Sequence, residues 1–353
     1  GVITEQLQNF AAGQDFYYPV DFAAAGSSQL GGNLSTNAGG IKVIRWGMTR
    51  DWVLGMQVVT GKGDVLELNK NLVKNNTGYD LRHLFIGAEG TLGFITEVTM
   101  KLTRQPGNLK VLVLGLSDFR YAMDVLTAFT KRLDLTAFEF FSQQAMEHVI
   151  AHAEVQAPFA TVAPFYALLE FECLNDRVLD EAMAIFEHCI EAQWVVDGVM
   201  SQSETQAHNL WQLRERISES IAPKLPYKND LSVVPSKVPE FLIRIDNLVK
   251  AEYPDFEIIW FGHIGDGNLH LNILKPTHLA KEDFFKRCEQ VNTLVFDTVR
   301  AFAGSVSAEH GVGLLKKDYL KYTRSAEEIS YLKAMKQVFD PNNIMNPGKL
   351  VDL

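Results

Sequence analysis

The chain has 353 residues, a length that predicts two or three domains. Apolar residues make up 47% of it and charged residues 22%, which is ordinary for a globular protein and excludes a disordered tail, a collagen and a coiled coil. The net charge of −10 argues against non-specific binding to nucleic acid and against docking on an anionic membrane.

The first 105 residues are rich in Gly, Asn and Thr, with short strand patterns. The first residue is Gly rather than Met, and the opening reads as the interior of a domain, so we expect the sequence to begin within one. Residues 51–67 predict a β-hairpin, because strand-like residues flank a Gly-Lys-Gly turn at 61–63. The Gln-Pro-Gly sequence at 105–107 predicts a domain boundary.

Beyond this boundary strand and helix patterns alternate, which favours an α+β or α/β layered architecture. The sequence shows no internal repeat, and from about residue 281 its pattern is mostly helical. The predicted strands cover residues 110–116, 137–141, 165–171 and 194–199, and the predicted helices cover 119–133 and 177–192.

The cysteines indicate a reducing compartment. Cys173, Cys189 and Cys288 form no even set and no CxxC pair, so we expect free thiols and a location in the cytoplasm, or in the mitochondrial matrix of a eukaryote. The longest uncharged run that looks apolar, residues 155–169, contains two prolines and is too short to span a bilayer.

Two glycine-rich segments are candidates for holding an anionic ligand. Residues 29–40 carry four glycines among small polar residues, and residues 85–96 carry glycines at positions 87, 90 and 93. Glycine lets successive backbone N–H groups approach a ligand, although neither segment has the spacing of a GxGxxG or P-loop motif. The alternatives are a surface loop for the first segment and a tight strand–turn–strand corner for the second.

A pair of histidines gives the strongest chemical signal. Turn residues at 265–268 lie between apolar flanks and predict a hairpin in which His263 stands directly opposite His270. Opposed side chains share one face, with Cβ atoms about 4.5–5.5 Å apart, so the two imidazoles would suit one divalent metal. Asn272 lies on the same face. The alternative is a pair of half-buried histidines bonded to the backbone.

A third metal ligand is predicted in residues 304–313, where Glu309 and His310 lie among glycines and serines. Glu309 would complete a His2Glu site with positions open to substrate, and His310 would act as a general base. The alternative is a helix N-terminus, with Ser307 as its N-cap and Glu309 in its first turn.

A carboxylate clamp is predicted between residues 211 and 232. Arg214 and Ser218 are four residues apart in a helical pattern, hence on one face, and Lys228 follows where the chain turns into a strand. The three side chains would hold a carboxylate, with Arg214 binding it bidentately. The alternative is a solvated helix face with internal Arg–Glu pairs.

Residues 340–349, near the end of the chain, are rich in Pro and Asn and predict an ordered turn. The alternative is a simple C-terminal tail.

Taken in order, these motifs resemble those of the FAD-linked 2-hydroxyacid dehydrogenases, which are flavoproteins of the vanillyl-alcohol-oxidase type. The resemblance covers almost the whole chain, and the region of the clamp is most similar to the D-2-hydroxyglutarate dehydrogenases. The motifs that carry it are GGNLSTNAGG and the Arg-Trp-Gly after it, GYDLRHLFIGAEGTLGFITE, LRERISES with PYKNDLS, FGHIGDGNLHLNI, SAEHGVG and DPNNIMNPGK.

The resemblance implies an α+β fold in three parts. Residues 1–105 would form the second half of an FAD-binding domain, and residues 106–310 a ferredoxin-like substrate-binding and cap domain that contains the metal site. Residues 311–353 would be a helical segment that returns to the FAD site. The first half of the family's FAD-binding domain, with its pyrophosphate loop, would lie before Gly1 and is not in this sequence.

The resemblance also implies roles for single residues. The substrate contacts would be Arg214, Ser218, Lys228 and Asn272, with His310 as the catalytic base. The ligands of a divalent metal, zinc or else manganese or iron, would be His263, His270 and Glu309. The FAD contacts would be Gly32, Asn33, Ser35, Thr36, Asn37, Gly39, Gly40, Gly90, Gly93, Ile95 and Asn346. The family often has Thr where this chain has Ser218.

The implied reaction is the oxidation of a D-2-hydroxy acid, above all D-2-hydroxyglutarate, to the 2-oxo acid by metal-assisted hydride transfer to FAD. Three alternatives stay open: a D-lactate dehydrogenase or glycolate oxidase subunit, a non-catalytic scaffold that lacks FAD, and a metal-only enzyme. The expected partners are the small-molecule substrate, an electron acceptor such as an electron-transfer flavoprotein or a quinone, and a second copy in a homodimer. No nucleic-acid partner is expected.

Overall fold

The computed structural model describes all 353 residues and divides them into two units. Unit 1 comprises Gly1–Gln105 and Val306–Leu353, and unit 2 comprises Pro106–Ser305. None of the helices combines the length and the apolar character that crossing a membrane requires.

The N-terminal part of unit 1 is built from short helices and strands. They are α1 (Thr4–Ala12), β1 (Phe16–Tyr17), α2 (Leu30–Thr36), α3 (Val43–Trp46), β2 (Val53–Thr60), β3 (Val65–Leu68), α4 (Arg82–Phe85), β4 (Gly93–Met100) and β5 (Thr103–Arg104). Strand β2 lies between β3 and β4 in an antiparallel sheet, and β1 pairs separately with β5. The predicted hairpin is confirmed, since β2 and β3 pair with Met56 opposite Leu68.

The first glycine-rich segment begins as a helix, so the alternative of a surface loop is wrong for residues 30–36. Residues Leu30–Thr36 form α2, which ends at Asn37 in the left-handed conformation with φ of 51°. Glycines at positions 31 and 32 disfavour a helix by propensity. Leu30 and Leu34, however, are four residues apart and both buried, so the apolar stripe of the helix prevails over the glycine signal.

Unit 2 contains one seven-stranded antiparallel sheet in the order β10-β12-β11-β7-β8-β6-β9. Its elements are β6 (Leu109–Leu116), α5 (Ala122–Thr130), β7 (Leu135–Ser142), α6 (Gln143–His152), β8 (Phe165–Glu172), α7 (Asp176–Glu191), β9 (Val195–Met200), α8 (Glu204–Glu215), α9 (Ile217–Ile221), β10 (Tyr227–Ser232), α10 (Val238–Glu252), β11 (Glu257–Gly262), β12 (Asn268–Leu274) and α11 (Lys281–Ala301). Strands β7 and β12 are buried along their whole length, so both faces of the sheet are covered there.

Local sequence explains where several of these elements begin. Ser142, Asn175 and Ser203 each accept a hydrogen bond from a first-turn backbone N–H of α6, α7 and α8, respectively.

All three cysteines are free thiols, as the sequence predicts. Burial raises the pKa of Cys189 to about 11 and that of Cys288 to about 12, so both stay protonated at neutral pH.

The sheet contains one topology twice, although the sequence shows no repeat. Strands β6–β9 take the order β7-β8-β6-β9 with α5 and α7 as crossover helices, which is the ferredoxin-like arrangement. Strands β10–β12 repeat it as β11-β12-β10, and an isolated bridge from Ser305 to Ser232 stands where a fourth strand would pair. The halves join where Phe141 on β7 lies opposite Phe261 on β11. The predicted α+β fold is confirmed.

The C-terminal part of unit 1 carries one long helix, α12 (Ala326–Phe339). It begins at a capping box formed by Ser325 and Glu328. At its other end Phe339 packs edge-on against Phe85, with ring centroids 5.0 Å apart. This contact joins the last helix to the apolar core beneath β2.

A buried ion pair fixes the end of α12. Lys336 and Asp340 form the pair, and both are almost fully buried. The Lys336 ammonium also donates to the carbonyls of Thr91 at 2.8 Å and Met345 at 2.6 Å. The Asp340 carboxylate accepts the N–H groups of Ile344 and Met345. The pair therefore ties α12 to the second glycine-rich segment and to the C-terminal turn.

We expect Lys336→Met to lower the free energy of unfolding by about 3–5 kcal/mol, because a buried carboxylate loses its counter-charge. The exposed pair of Arg324 and Glu328 provides the control, and Arg324→Met should cost about 0.5 kcal/mol or less. Urea unfolding at pH 7 measures both effects. Equal effects of the two substitutions would contradict a stabilising buried pair.

The same experiment repeated at low pH tests the charge on Asp340. Burial raises the pKa of this carboxyl, but the hydrogen bonds from Lys336, Met345 and Ile344 outweigh burial and hold the pKa below its usual value. The contribution to stability is therefore complete above the unfolded-state pKa of about 3.9 and is lost as the pH falls through the folded-state pKa. The difference in the free energy of unfolding between the wild type and Lys336→Met should therefore become smaller below about pH 4.

Candidate active site

The two predicted metal-ligating histidines lie on one hairpin of unit 2, in a register that differs from the predicted one. Strands β11 and β12 pair with Phe261 opposite His270, and the N–H of Asn268 donates to the His263 carbonyl at 3.1 Å. The predicted pairing of His263 with His270 is wrong by two residues, because the turn closes at Gly267, whose φ is 87°. A shift of two residues preserves the face of a strand, so the imidazoles still lie together, with centroids 5.4 Å apart.

Two buried carboxylates stand behind the histidines, and the sequence analysis missed both. Glu139 on β7 lies 2.8 Å from His263 Nδ1. Asp230 on β10 is opposite His270, 3.6 Å from its Nδ1, and accepts a hydrogen bond from the Asn268 amide at 2.9 Å. The available signal was an acidic residue inside an otherwise apolar strand, since Glu139 interrupts the apolar residues 137–141.

The structure places Arg214 on the same side of the sheet. This residue lies on α8 and is buried, with its side chain 8% exposed. Its Nε is 2.9 Å from a Glu139 oxygen, and its guanidinium stacks over the Phe261 ring at 4.8 Å. Because Phe261 is opposite His270, the guanidinium lies next to the histidine pair. The alternative of a solvated Arg214 is therefore excluded.

Of the other predicted substrate contacts, Ser218 and Lys228 are exposed, whereas Asn272 is buried like Arg214. The helix ends at Glu215 and a second one begins at Ile217, so Arg214 and the exposed Ser218 do not share one continuous helix, contrary to the prediction. Lys228 is exposed on β10, the edge strand of the sheet. It lies directly opposite Asn272, which is buried and follows His270 by two residues on the same face.

In unit 1, backbone contacts join the two glycine-rich segments and the C-terminal turn at Glu89. The Glu89 N–H donates to the Ser35 carbonyl of α2 at 2.7 Å. Its own carbonyl accepts a hydrogen bond from the Asn346 side chain at 2.6 Å. Its φ is 53°, a left-handed conformation that is uncommon outside glycine. Predicted FAD contacts from three distant parts of the sequence therefore meet around one strained residue.

The polar side chains of α2 and of its C-cap Asn37 form hydrogen bonds within unit 1. Ser35 and Thr36 donate to carbonyls one turn earlier, Asn33 donates to Thr4, and Asn37 accepts the N–H of Arg50. These four side chains therefore have hydrogen-bond partners inside the protein.

Three of the predicted FAD positions have packing reasons for their residue. A Cβ added at Gly40 would lie 2.1 Å from the Asp21 carbonyl, and one at Gly93 would lie 2.8 Å from Val58. A Cβ added at Gly39 would lie 3.1–3.2 Å from the side chains of Met48 and Val43. Ile95 lies on β4 opposite Val58. Glycine is thus required at 40 and 93 whether or not a ligand binds there.

The segment that carries Glu309 and His310 belongs to unit 1 and is not helical, so the alternative of a helix N-terminus is wrong. The Ser307 hydroxyl donates to the Gly311 carbonyl instead of capping a helix. Glu309 is half-buried, whereas the His310 side chain is 61% exposed. The Glu89 carboxylate accepts the N–H groups of residues 312 and 313, each at 2.7 Å, and so anchors this segment to the second glycine-rich one.

Comparison with known proteins identifies the family. The model described as "FAD linked oxidases, C-terminal domain" matches residues 105–350, and an "FAD binding domain" model matches residues 1–69. The chain belongs to the FAD-linked oxidase family. The predictions of an oxidoreductase and of an FAD-binding domain are confirmed at this level.

Two bacterial relatives are named D-2-hydroxyglutarate dehydrogenase. The protein of Stutzerimonas stutzeri is 65% identical over 350 residues, covering 99% of this chain and 75% of that protein. The protein of Xanthomonas citri pv. viticola is 53% identical, covering 100% of this chain and 74% of that protein. The chain thus spans about three quarters of their length. The structure of 4-ethylphenol oxidase from Gulosibacter chungangensis shares the fold, with a TM-score of 0.72 at 14% identity over 99% of this chain and 75% of that one.

The residues of this FAD-linked oxidase fit a flavin held by backbone groups. A Cβ added at Gly31 or Gly32 would meet no atom within 4 Å, so there is open space beside the start of α2. At Gly90, with φ of 68°, an added Cβ would lie 3.0 Å from the Asn346 amide. Two predicted contact positions, Gly90 and Asn346, are therefore adjacent, whereas Gly31 and Gly32 are exposed on the surface of α2.

The donor set of unit 2 fits a divalent metal. Metal-ligating histidines commonly use one ring nitrogen for the metal and donate the other N–H to a carboxylate. His263 has Glu139 at Nδ1, and His270 has Asp230 near the equivalent atom. The arrangement suits coordination through Nε2 of both rings.

We expect Glu89→Ala to release the segment that contains Glu309 and His310, because residues 312 and 313 lose the carboxylate that accepts their N–H groups. Hydrogen exchange at these two amides should accelerate about tenfold or more, in line with the loss of about 1.5–3 kcal/mol for a hydrogen bond to a charged group. Glu97→Ala, at an exposed position on β4, is the control. Unchanged exchange at both amides would rule out this anchoring role.

Proposed function

We propose that the protein oxidises D-2-hydroxyglutarate to the corresponding 2-oxo acid with FAD as the oxidant. The observation that carries the proposal is the buried guanidinium of Arg214 on the sheet face that holds His263 and His270. A buried, preorganised cation beside a metal-binding donor pair suits a substrate with two carboxylates. The 65% identity to a relative named D-2-hydroxyglutarate dehydrogenase supports the same substrate.

Recognition of the distal carboxylate falls to Arg214 and Lys228. A guanidinium binds a carboxylate bidentately, and Lys228 adds a second positive charge at the edge of the sheet. Ser218 would contribute a hydroxyl donor. Asn272, on the face of His270, would contact the substrate through its amide.

The proposed metal ligands are His263, His270 and Glu309. The contacts at Nδ1 support the two histidines, and the sequence motif alone supports Glu309. When bound, a divalent cation supplies a Lewis acid that lowers the pKa of the substrate hydroxyl. Zinc is the preferred candidate, and manganese or iron also suits two imidazoles and a carboxylate.

His310 is proposed to accept the proton of the C2 hydroxyl, a role that its motif supports and that its exposed imidazole allows. When bound, FAD supplies the acceptor for the C2 hydrogen and its two electrons. The residues of the chain then have to hold the substrate, remove one proton and stabilise charge. We further propose an electron-transfer flavoprotein or a quinone as the reoxidant, and a homodimer in solution.

The substrate is tested by anaerobic mixing of the FAD-bound protein with D-2-hydroxyglutarate, D-lactate or glycolate while the visible flavin absorbance is followed. We expect reduction to be fastest with D-2-hydroxyglutarate. Equal or faster reduction by D-lactate or glycolate would favour those activities instead. Absence of bound flavin, or bound flavin that no 2-hydroxy acid reduces, would overturn the proposal.

Substitution of Arg214 tests why the diacid is preferred. Arg214→Lys keeps the charge but loses the planar fork, so we expect kcat/KM for D-2-hydroxyglutarate to fall by about 10–100-fold, which is 1.4–2.8 kcal/mol, with a much smaller change for D-lactate. A ratio between the two substrates that stays at its wild-type value would show that Arg214 does not select the distal carboxylate.

We expect His310→Asn to lower kcat by about 10²–10⁴-fold with little change in KM, because general base catalysis is lost while the carboxylate contacts remain. His278→Asn is the matched control, since His278 is an exposed histidine paired with Asp255 at 3.5 Å. Stopped-flow flavin reduction isolates the chemical step. A His310 variant as fast as the control would remove His310 from the mechanism.

A further inference from the structure

One carboxylate serves both the histidine pair and the buried guanidinium. Glu139 is 1% exposed, and its Oε1 is 2.8 Å from His263 Nδ1 while its Oε2 is 2.9 Å from Arg214 Nε. Nothing in the sequence motifs points to it, because it lies more than 70 residues before Arg214 and more than 120 before His263. Only the sheet brings the three side chains together.

The register of the sheet explains the placement. Strands β7 and β11 pair with Phe141 opposite Phe261 and Phe140 opposite Gly262. One step further along the same register, Glu139 faces His263, and directly opposed residues share a face of the sheet. The contact therefore lies at the seam of the two ferredoxin-like halves, with one residue from each half.

Because Glu139 is buried, its carboxylate needs partners that compensate for the loss of water. An isolated buried carboxylate costs several kcal/mol, and the partners that Glu139 has in the interior are Arg214 and the His263 imidazole. In return the carboxylate fixes both partners. Its Oε1 lies 2.8 Å from His263 Nδ1, a contact that suits the tautomer with Nε2 available for coordination. It forms a buried ion pair with Arg214, whose Nε lies 2.9 Å from Oε2, although neither atom completes a hydrogen bond there.

We propose that Glu139 is a positioning residue that couples the metal-binding histidine to the substrate-binding arginine. The inference rests on the proposed function, since it assumes a metal at His263 and a substrate carboxylate at Arg214. It goes further by making one buried carboxylate responsible for the alignment of both. A purely structural counter-ion for Arg214 would affect substrate preference when it is lost but would leave zinc affinity unchanged.

The chain offers a matched control for this residue. Glu170 on β8 is also buried, at 4% exposure, and lies on the same face, since it is opposite Ala137, two residues from Glu139. Its carboxylate is bonded to Thr136 and Trp211. Glu170→Gln therefore changes a second buried carboxyl group on the same sheet face, one whose hydrogen bonds include Thr136 and Trp211.

The decisive experiment compares Glu139→Gln, Glu139→Asp and Glu170→Gln with the wild type. Zinc affinity, measured by competition with a chromogenic chelator, should fall about 10–100-fold in Glu139→Gln and stay within about twofold in Glu170→Gln. The preference for D-2-hydroxyglutarate over D-lactate should fall in Glu139→Gln through a higher KM for the diacid. Glu139→Asp keeps the charge that the fold needs but shortens the side chain, so it should fold and still lose zinc affinity.

Each outcome decides the proposal. Wild-type zinc affinity in folded Glu139→Gln would overturn the proposal, whatever the substrate preference. Glu139→Asp takes its place in this comparison if Glu139→Gln does not fold. Parallel losses in Glu170→Gln would also overturn the proposal, because they would indicate a general effect of buried charge. A wild-type protein that oxidises no 2-hydroxy acid would overturn the proposed function instead, and the zinc titration would still decide whether Glu139 supports His263.

Discussion

The need to compensate buried charge organises both units of this protein. A carboxylate removed from water is tolerated only where cations or N–H donors surround it. In unit 2 this requirement joins Glu139 to Arg214 and His263. In unit 1 it joins Asp340 to Lys336 and to two backbone N–H groups of the C-terminal turn. Each cluster links segments that are distant in sequence, so the positions of the site residues follow from the same contacts that make the interior electrostatically acceptable.

The repeated topology of unit 2 gives the candidate site its location. Two ferredoxin-like halves meet edge to edge, and the polar residues gather close to that seam, where β7 and β11 pair. A seam between two similar layers lets side chains from both approach one point, which a single half could not provide. Arg214 comes from α8, in the connection between the halves, and not from either half. The candidate site thus lies where the two halves of similar topology meet, although the sequence shows no repeat.

In unit 1, a residue with irregular backbone joins the segments that contain the predicted site residues. Glu89 adopts φ of 53° and contacts α2, the C-terminal turn and the segment after His310. Strained non-glycine backbone persists where the surroundings over-determine it, and such positions concentrate at functional sites. The neighbouring glycines serve two different purposes. Gly93 admits close packing against Val58, whereas Gly31 and Gly32 leave space beside a helix.

The sequence alone was enough to predict several local elements and the chemical identity of the donors. Alternation and apolar spacing are local properties, so they located β6–β9, α5 and α7, although not α6. The period of two kept His263 and His270 on one face even though the predicted register was wrong by two. Tertiary structure decided what depends on distant partners. The burial of Leu30 and Leu34 stabilises a helix in a glycine-rich segment. The helix is interrupted between Arg214 and Ser218 despite their helical spacing. Glu139 and Asp230 became partners of the histidines only through strand pairing, because a carboxylate in an apolar strand reveals its charge in sequence but not the donor that neutralises it.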